Sequence, residues 1–201
     1  MNRKNRMPTL RSILAATFVL SLASVAYAGV QRFGIDANHT RILFVAATVL
    51  FDVDGSFDRY TLDIEGDPDN LSSVKINVEI DAASVNTHND QRDTHLRNQD
   101  FFNVAQHPKI TFVSTRAVNE NGKIVVEGVL SMHGQQKTIR IPFSKITAVN
   151  GAGKMETVFK GEITLNRNDF AIGVGSVAAR ISLQDEVKVK LVIAGFFKPK
   201  A

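Results

Sequence analysis

From residue 31 onward, apolar and polar positions alternate with a period of two. Val74, Ile76, Val78 and Ile80 alternate with Lys75, Asn77 and Glu79. Ile124, Val126, Gly128, Leu130 and Met132 form a second row, and Ile139, Ile141 and Phe143 a third. Phe159, Gly161, Ile163 and Leu165 form a fourth, and Val187, Val189, Leu191 and Ile193 a fifth. Each row gives a strand with one apolar and one solvated face, which is the pattern of antiparallel sheets. Further strands are expected at 31–35, 41–50, 56–65 and 109–118. Turn signals separate them at Asp54-Gly55, 66–70, 119–122, His133-Gly134 and 150–153. Eight or nine strands with short turns predict an all-β domain, either a closed barrel or a sandwich.

One stretch breaks this period. Residues 86–103 read NTHNDQRDTHLRNQDFFN, polar and rich in helix formers. The pattern predicts a short helix from about Asn89 to Arg97, capped by Asn89 or Thr87. Asp93 and Arg97 are spaced to pair on its surface, and Phe101-Phe102 would fix the excursion to the rest of the domain. Gly173-Val174-Gly175-Ser176 reads as a flexible turn.

Charge changes the picture in one respect. The 201 residues carry 24 Lys and Arg against 20 Asp and Glu, a formal net charge of +4. Four of those bases, Arg3, Lys4, Arg6 and Arg11, fall in the first 28 residues, which hold no acid. Residues 29–201 are therefore formally neutral, with 20 bases against 20 acids, and the case for a nucleic-acid partner disappears. The basic start, the apolar run 13–27 and Ala26-Tyr27-Ala28 form the three parts of a secretory signal. Residues 1–28 are expected to be cleaved, leaving one domain at 29–201 in the periplasm, with no stable membrane insertion. The sequence has no Cys, which excludes disulfides, thiol catalysis and Cys-ligated metals.

Candidate chemistry is sparse. The five His residues form neither H-x-H nor H-E-x-x-H, so no metal site is expected. No G-x-S-x-G elbow supports a hydrolase. Two polar clusters stand out: Arg92-Asp93-Thr94-His95-Leu96 ahead of Asp100-Phe101-Phe102, and Asn166-Arg167-Asn168-Asp169-Phe170 at the end of a strand. Arg167 and Asp169 could pair with each other or rim an apolar pocket.

These clusters carry a resemblance. Asp36-Ala37-Asn38-His39-Thr40 resembles the opening D-x-x-H-[ST] of the YceI family, and Gly55-Ser56-Phe57 its G-x-F. Residues 92–102 are similar to its R-D-x-H-L…D-F-F, and Pro108–Phe112 sits where the family carries P-x-I-x-F. Residues 128–134 are similar to its G-x-L-x-x-H-G, 166–170 to its R-x-D-F, and Asp185-Glu186-Val187 to its closing D-x-V. Their common order over almost the whole of 29–201 is specific. Two departures occur: Ala46-Ala47-Thr48 stands where the family often has a second His, and Ala171 where it usually has Gly.

The resemblance implies a closed antiparallel eight-stranded lipocalin-like barrel with one short helical excursion. It implies a periplasmic carrier or binding protein, not an enzyme, that holds a long apolar isoprenoid-type lipid inside the barrel. No cofactor is expected beyond a bound isoprenoid lipid or quinone. Phe101, Phe102, Phe112, Phe159, Gly161, Ile163 and Phe170 are expected along the ligand, Gly161 leaving room for it. His39, Arg92, His95, His133 and Arg167 are expected near a polar head group. Two rival functions are a lipid-processing hydrolase with His39, His95 or His133 as base, and a stress protein acting through protein partners. A homodimer is a further, open expectation.

Overall fold

The structure is a computed structural model and describes residues 29–199. The secretory-signal reading of 1–28 lies outside the described residues. Eleven strands form one antiparallel sheet: β1 (Gln31–Ile35), β2 (Arg41–Thr48), β3 (Asp52–Phe57), β4 (Tyr60–Asp67), β5 (Asn70–Asp81), β6 (Val85–Asn86), β7 (Lys109–Glu120), β8 (Lys123–Met132), β9 (Gln135–Val149), β10 (Met155–Asn166) and β11 (Leu183–Pro199). Two short helices interrupt it, α1 (Asp90–Arg97) and α2 (Val177–Ser182). No helix among the described residues is long and apolar enough to cross a membrane.

The sheet closes on itself. Its order runs β1-β4-β5-β7-β8-β9-β10-β11, and β11 pairs back onto β1. That ring of eight is the expected barrel. The short strands β2, β3 and β6 extend it at one end, called the upper end below. β1 lies on β11 from Gly195 to Pro199, and β2 continues on the same β11 from Leu183 to Val192. Between β1 and β2 the chain leaves the ladder, and the Thr40 side chain replaces it. Its hydroxyl accepts from the Ala194 N–H at 3.1 Å, with no exposure to solvent. This keeps a buried backbone donor satisfied across the break.

The turns follow local chemistry. His133 and Gly134 both have positive φ (51° and 74°) between the paired Met132 and Gln135, a two-residue hairpin turn that suits strand twist. Asn121 and Gly122 (52° and 80°) do the same between Glu120 and Lys123. Asp54-Gly55 corrects the expectation of a turn, because both lie inside β3, where Gly55 is opposite Phe44. The real turn follows Thr48, whose hydroxyl donates to the Phe51 carbonyl at 2.6 Å and accepts from the Phe51 N–H at 3.1 Å. A Ser/Thr side chain thus does the work that Asn-Gly does elsewhere.

α1 starts where expected. Asn89 caps it, its side chain accepting from the Arg92 N–H at 2.9 Å. α2 is an addition to the single helix expected. It follows the stretch read as a flexible turn, and Ser176 caps it by accepting from the Ala179 N–H at 3.2 Å. Between the end of β10 and α2, residues Arg167–Phe170 form a single 3-10 turn. These pieces, α1 and the Val49–Phe51 turn all gather at the upper end.

Candidate functional site

The inward rows of the barrel enclose a cavity of about 210 Å³ in its upper half. Its walls come from every ring strand except β1, and from β2: among them Ile42 and Ala46 of β2, Val78 of β5, Ile139 of β9, Ile163 of β10 and Leu191 of β11. Leu96 of α1 and Phe101, Phe102, Phe170 and Ile172 line it from the upper end. No polar atom contributes to the exposed wall. Its floor is made by Ile76, Val126, Phe143 and Ile193, which also roof a smaller void of about 60 Å³ below. In that lower half Phe33 packs edge-on against Phe159 and Phe197, with ring centroids 5.6 and 4.9 Å apart.

Of the residues expected along the ligand, Phe101, Phe102, Phe112, Ile163 and Phe170 line the large cavity. Phe159 lines the smaller one instead. Gly161 corrects the expectation that it leaves room for ligand. It pairs directly with Phe143 across β9 and β10, and a Cβ at 161 would stand 2.5 Å from that ring. The aromatic ring already occupies the space the glycine leaves. Gly128 is covered in the same way by Phe112, at 2.5 Å, and Gly55 by Phe44.

The expected head-group residues are mostly structural. Arg167 has a side chain only 5% exposed and lines the cavity through its apolar stem. Its guanidinium donates to the carbonyls of Gln184 (3.0 Å), Ile172 (3.0 Å) and Leu183 (3.3 Å), and to Asp185 Oδ1 (2.8 Å). It does not pair with Asp169, which faces Lys137 at 3.5 Å. The planar fork satisfies three carbonyls at once, that of Ile172 buried, and ties the end of β10 to the start of β11.

Arg92 donates from Nε to the Thr87 hydroxyl at 2.7 Å and from its terminal nitrogen to the Thr87 carbonyl at 2.8 Å. Asp93 is buried and accepts from the Thr87 N–H (2.9 Å) and hydroxyl (2.6 Å). The expected Asp93–Arg97 pair is absent, because Arg97 reaches the carbonyls of Ala83 and Val85 instead. These motif residues dock α1 onto the barrel edge. None of His39, Arg92, His95 or His133 reaches the cavity wall. His95 is exposed and packs edge-on against Phe101 at 5.0 Å. His133 Nδ1 is 2.9 Å from the Phe170 carbonyl, bracing the 3-10 turn against the β8–β9 hairpin.

His39 lies on the outer face, on the loop between β1 and β2. Its Nδ1 is 2.6 Å from an Asp36 carboxylate oxygen. That hydrogen bond raises the His39 pKa above its ordinary value and lowers that of Asp36. Glu156 joins them, with ligand-type atoms of all three within 4.8 Å of one another. Glu156 had no sequence signal, since only closure of the sheet brings it to the β1–β2 loop.

A model of the YceI-like domain matches residues 33–194. The chain belongs to the YceI-like family. A UPF0312 protein of Pectobacterium atrosepticum is 31% identical over 169 residues, covering 82% of this chain and 86% of the relative. Among solved structures, Burkholderia cenocepacia BcnA is similar with a TM-score of 0.72 at 24% identity, over 81% of this chain and all of that one. A polyisoprenoid binding domain from Saccharophagus degradans implicated in plant cell wall breakdown is similar with a TM-score of 0.60 at 17% identity. It covers 85% of this chain and 98% of that one. Both structures share the fold. In the YceI-like barrel of this chain Ala46 puts a methyl group on the cavity wall.

Proposed function

We propose that this protein is an exported, periplasmic binding protein or carrier for a long apolar isoprenoid-type lipid, held inside the barrel. One observation carries this reading: a closed barrel whose large cavity presents only apolar atoms. Burial of each CH₂ is worth about 0.8 kcal/mol, so a few isoprene units supply binding without any charge. Ordering a flexible tail offsets part of that gain. The polyisoprenoid binding domain with the same fold supports the ligand class. The basic start, apolar run and A-x-A site in residues 1–28 support export.

The head group needs no dedicated charged ligand in the cavity. Arg167 is saturated by backbone carbonyls and Asp185, and the nearest His residues serve loops. A polar head therefore remains at the upper end, in water, while the tail occupies the cavity.

Solvent extraction of protein purified from its producing cell, followed by mass spectrometry, tests the reading. A co-purifying isoprenoid, polyprenol or quinone is expected. Extracts free of lipid, together with no uptake of added farnesol, overturn it.

A further inference from the structure

The large cavity has an apolar rim on the surface as well as an apolar wall inside. Three segments run from wall to surface at the upper end. Ala46 lines the cavity, and Val49, Leu50 and Phe51 follow it in the β2–β3 turn, Val49 and Leu50 being 73% and 86% exposed. Ile172 lines it, and Val174 is exposed two residues later. Leu183 lines it, and Ile181, 75% exposed, precedes it by two. Val177 and Ile181 stand four apart on one face of α2, while Ala179 turns inward. Turn and helix are joined directly, the Val49 N–H donating to the Ser182 carbonyl at 3.0 Å.

We propose that this rim is a docking surface for a lipid bilayer. Val49, Leu50, Phe51, Val177 and Ile181 enter the boundary between head groups and acyl chains, and a lipid tail passes between leaflet and cavity without crossing water. The inference rests on the lipid-binding reading above. Continuity selects the occupant. The exposed side chains are the outward continuation of the wall that would hold the tail, and a bilayer is the phase from which a long apolar lipid comes. A protein partner or second copy seated here would stopper the cavity instead. The flanking charges offer no basic patch, with Asp52, Asp100 and Asp185 against Arg180 and Asp185 already held by Arg167. Recognition therefore works by apolar insertion, in the manner of interfacial elements, and depends little on salt. The lower end also exposes Val149 and Met155, but neither borders the large cavity.

The chain has no Trp, so a single introduced indole reports its own site. Phe51→Trp is placed on the rim, and Met155→Trp, at the lower end, is the control. With phosphatidylcholine vesicles, the Phe51→Trp emission is expected to shift to the blue and to be quenched by brominated acyl chains, at low and high salt alike. The Met155→Trp emission is expected to stay unchanged. Because the readout is local, any attachment through residues 1–28 leaves the comparison intact. The double variant Leu50→Asp, Ile181→Asp changes only well-exposed positions. It is expected to take up polyprenol from the same vesicles about tenfold more slowly while binding farnesol from solution like the parent.

No blue shift at position 51, or equal shifts at 51 and 155, overturns the proposal. A shift that follows protein concentration without vesicles assigns the rim to a second copy and also overturns it. Failure of the parent to bind farnesol strikes the lipid-binding reading instead, and the indole shift still decides docking.

Discussion

The two halves of the barrel are built from the same alternating strands, yet one is hollow and the other is full. In the lower half Phe33, Phe159 and Phe197 interlock, and only about 60 Å³ remains. In the upper half about 210 Å³ stays open between aliphatic side chains and the rings of Phe101, Phe102, Phe112 and Phe170. The difference is not one of hydrophobicity. Rings cover glycines in the upper half as well, Phe112 over Gly128 and Phe44 over Gly55, so the placement of the rings, not their number, separates the halves. Phe143 lies over Gly161 at the boundary and forms the floor. Two separately held pieces cap the upper half: α1, which Arg92, Asp93 and Arg97 fasten to Thr87, Ala83 and Val85, and the 3-10 turn, which His133 and Arg167 fasten to the β8–β9 hairpin and the start of β11.

The strongest way to break this contrast is Arg167→Ala. It leaves carbonyls of Leu183, Gln184 and Ile172 without their donor, and the expected loss is about 3 kcal/mol in chemical denaturation. Arg167→Lys should recover little, since an ammonium cannot span the same fork. Gly161→Ala tests the floor. The new methyl must displace the Phe143 ring, at a cost of about 2 kcal/mol by the same measurement. Ala46→Phe tests the hollow half. It fills space rather than displacing a ring, so the melting temperature should hold while farnesol affinity falls about tenfold, or about 1.4 kcal/mol, by calorimetry.

A smaller effect sharpens the role of the closing loops. Ala171 adopts φ 55° at the end of the 3-10 turn, a conformation that costs an L-residue about 1 kcal/mol. Ala171→Gly relieves it, although a more flexible unfolded chain offsets part of the gain. The expected outcome is a stabilisation below about 1 kcal/mol, seen as a higher denaturation midpoint.

The smallest effect lies away from both cavities. The His39 pKa is raised, so its contribution is complete below the ordinary value of about 6.5 and is lost as pH rises through the folded value. The Asp36 pKa is lowered, so its contribution is present above about 3.9 and is lost as pH falls through the folded value. His39→Gln should therefore lower the melting temperature most between about pH 4 and 6.5, with the gap narrowing above that window. Exposure of the pair keeps the effect slight.

Much of the fold was legible because alternation is local. The rows at 74–80, 124–132, 159–165 and 187–193 each lie within an observed strand. The α1 cap at Asn89 was legible because capping needs only the residue and its next three neighbours. The β2–β3 turn was misread because Thr48 makes it with a side chain, while the more familiar Asp54-Gly55 sits inside a strand. Within the candidate site, the aromatic lining at Phe101, Phe102, Phe112 and Phe170 was readable from the motif positions alone. The polar motif residues were not. Arg and His side chains in a motif look alike whether they bind a ligand or a carbonyl, and only the partner distinguishes them.

The sequence by itself determined strands, an antiparallel sheet and an apolar interior, since side-chain direction in a strand alternates residue by residue. Tertiary structure decided which half of that interior stays open. Gly161 reads as empty space along the chain, but the register of β10 against β9 places the Phe143 ring there. Arg167 reads as a candidate ligand, but the path of the β10–β11 connection surrounds it with the carbonyls of Ile172, Leu183 and Gln184. The register of paired strands and the path of a connecting loop are not written in the alternation of apolar and polar positions, so the local pattern carries no information about them.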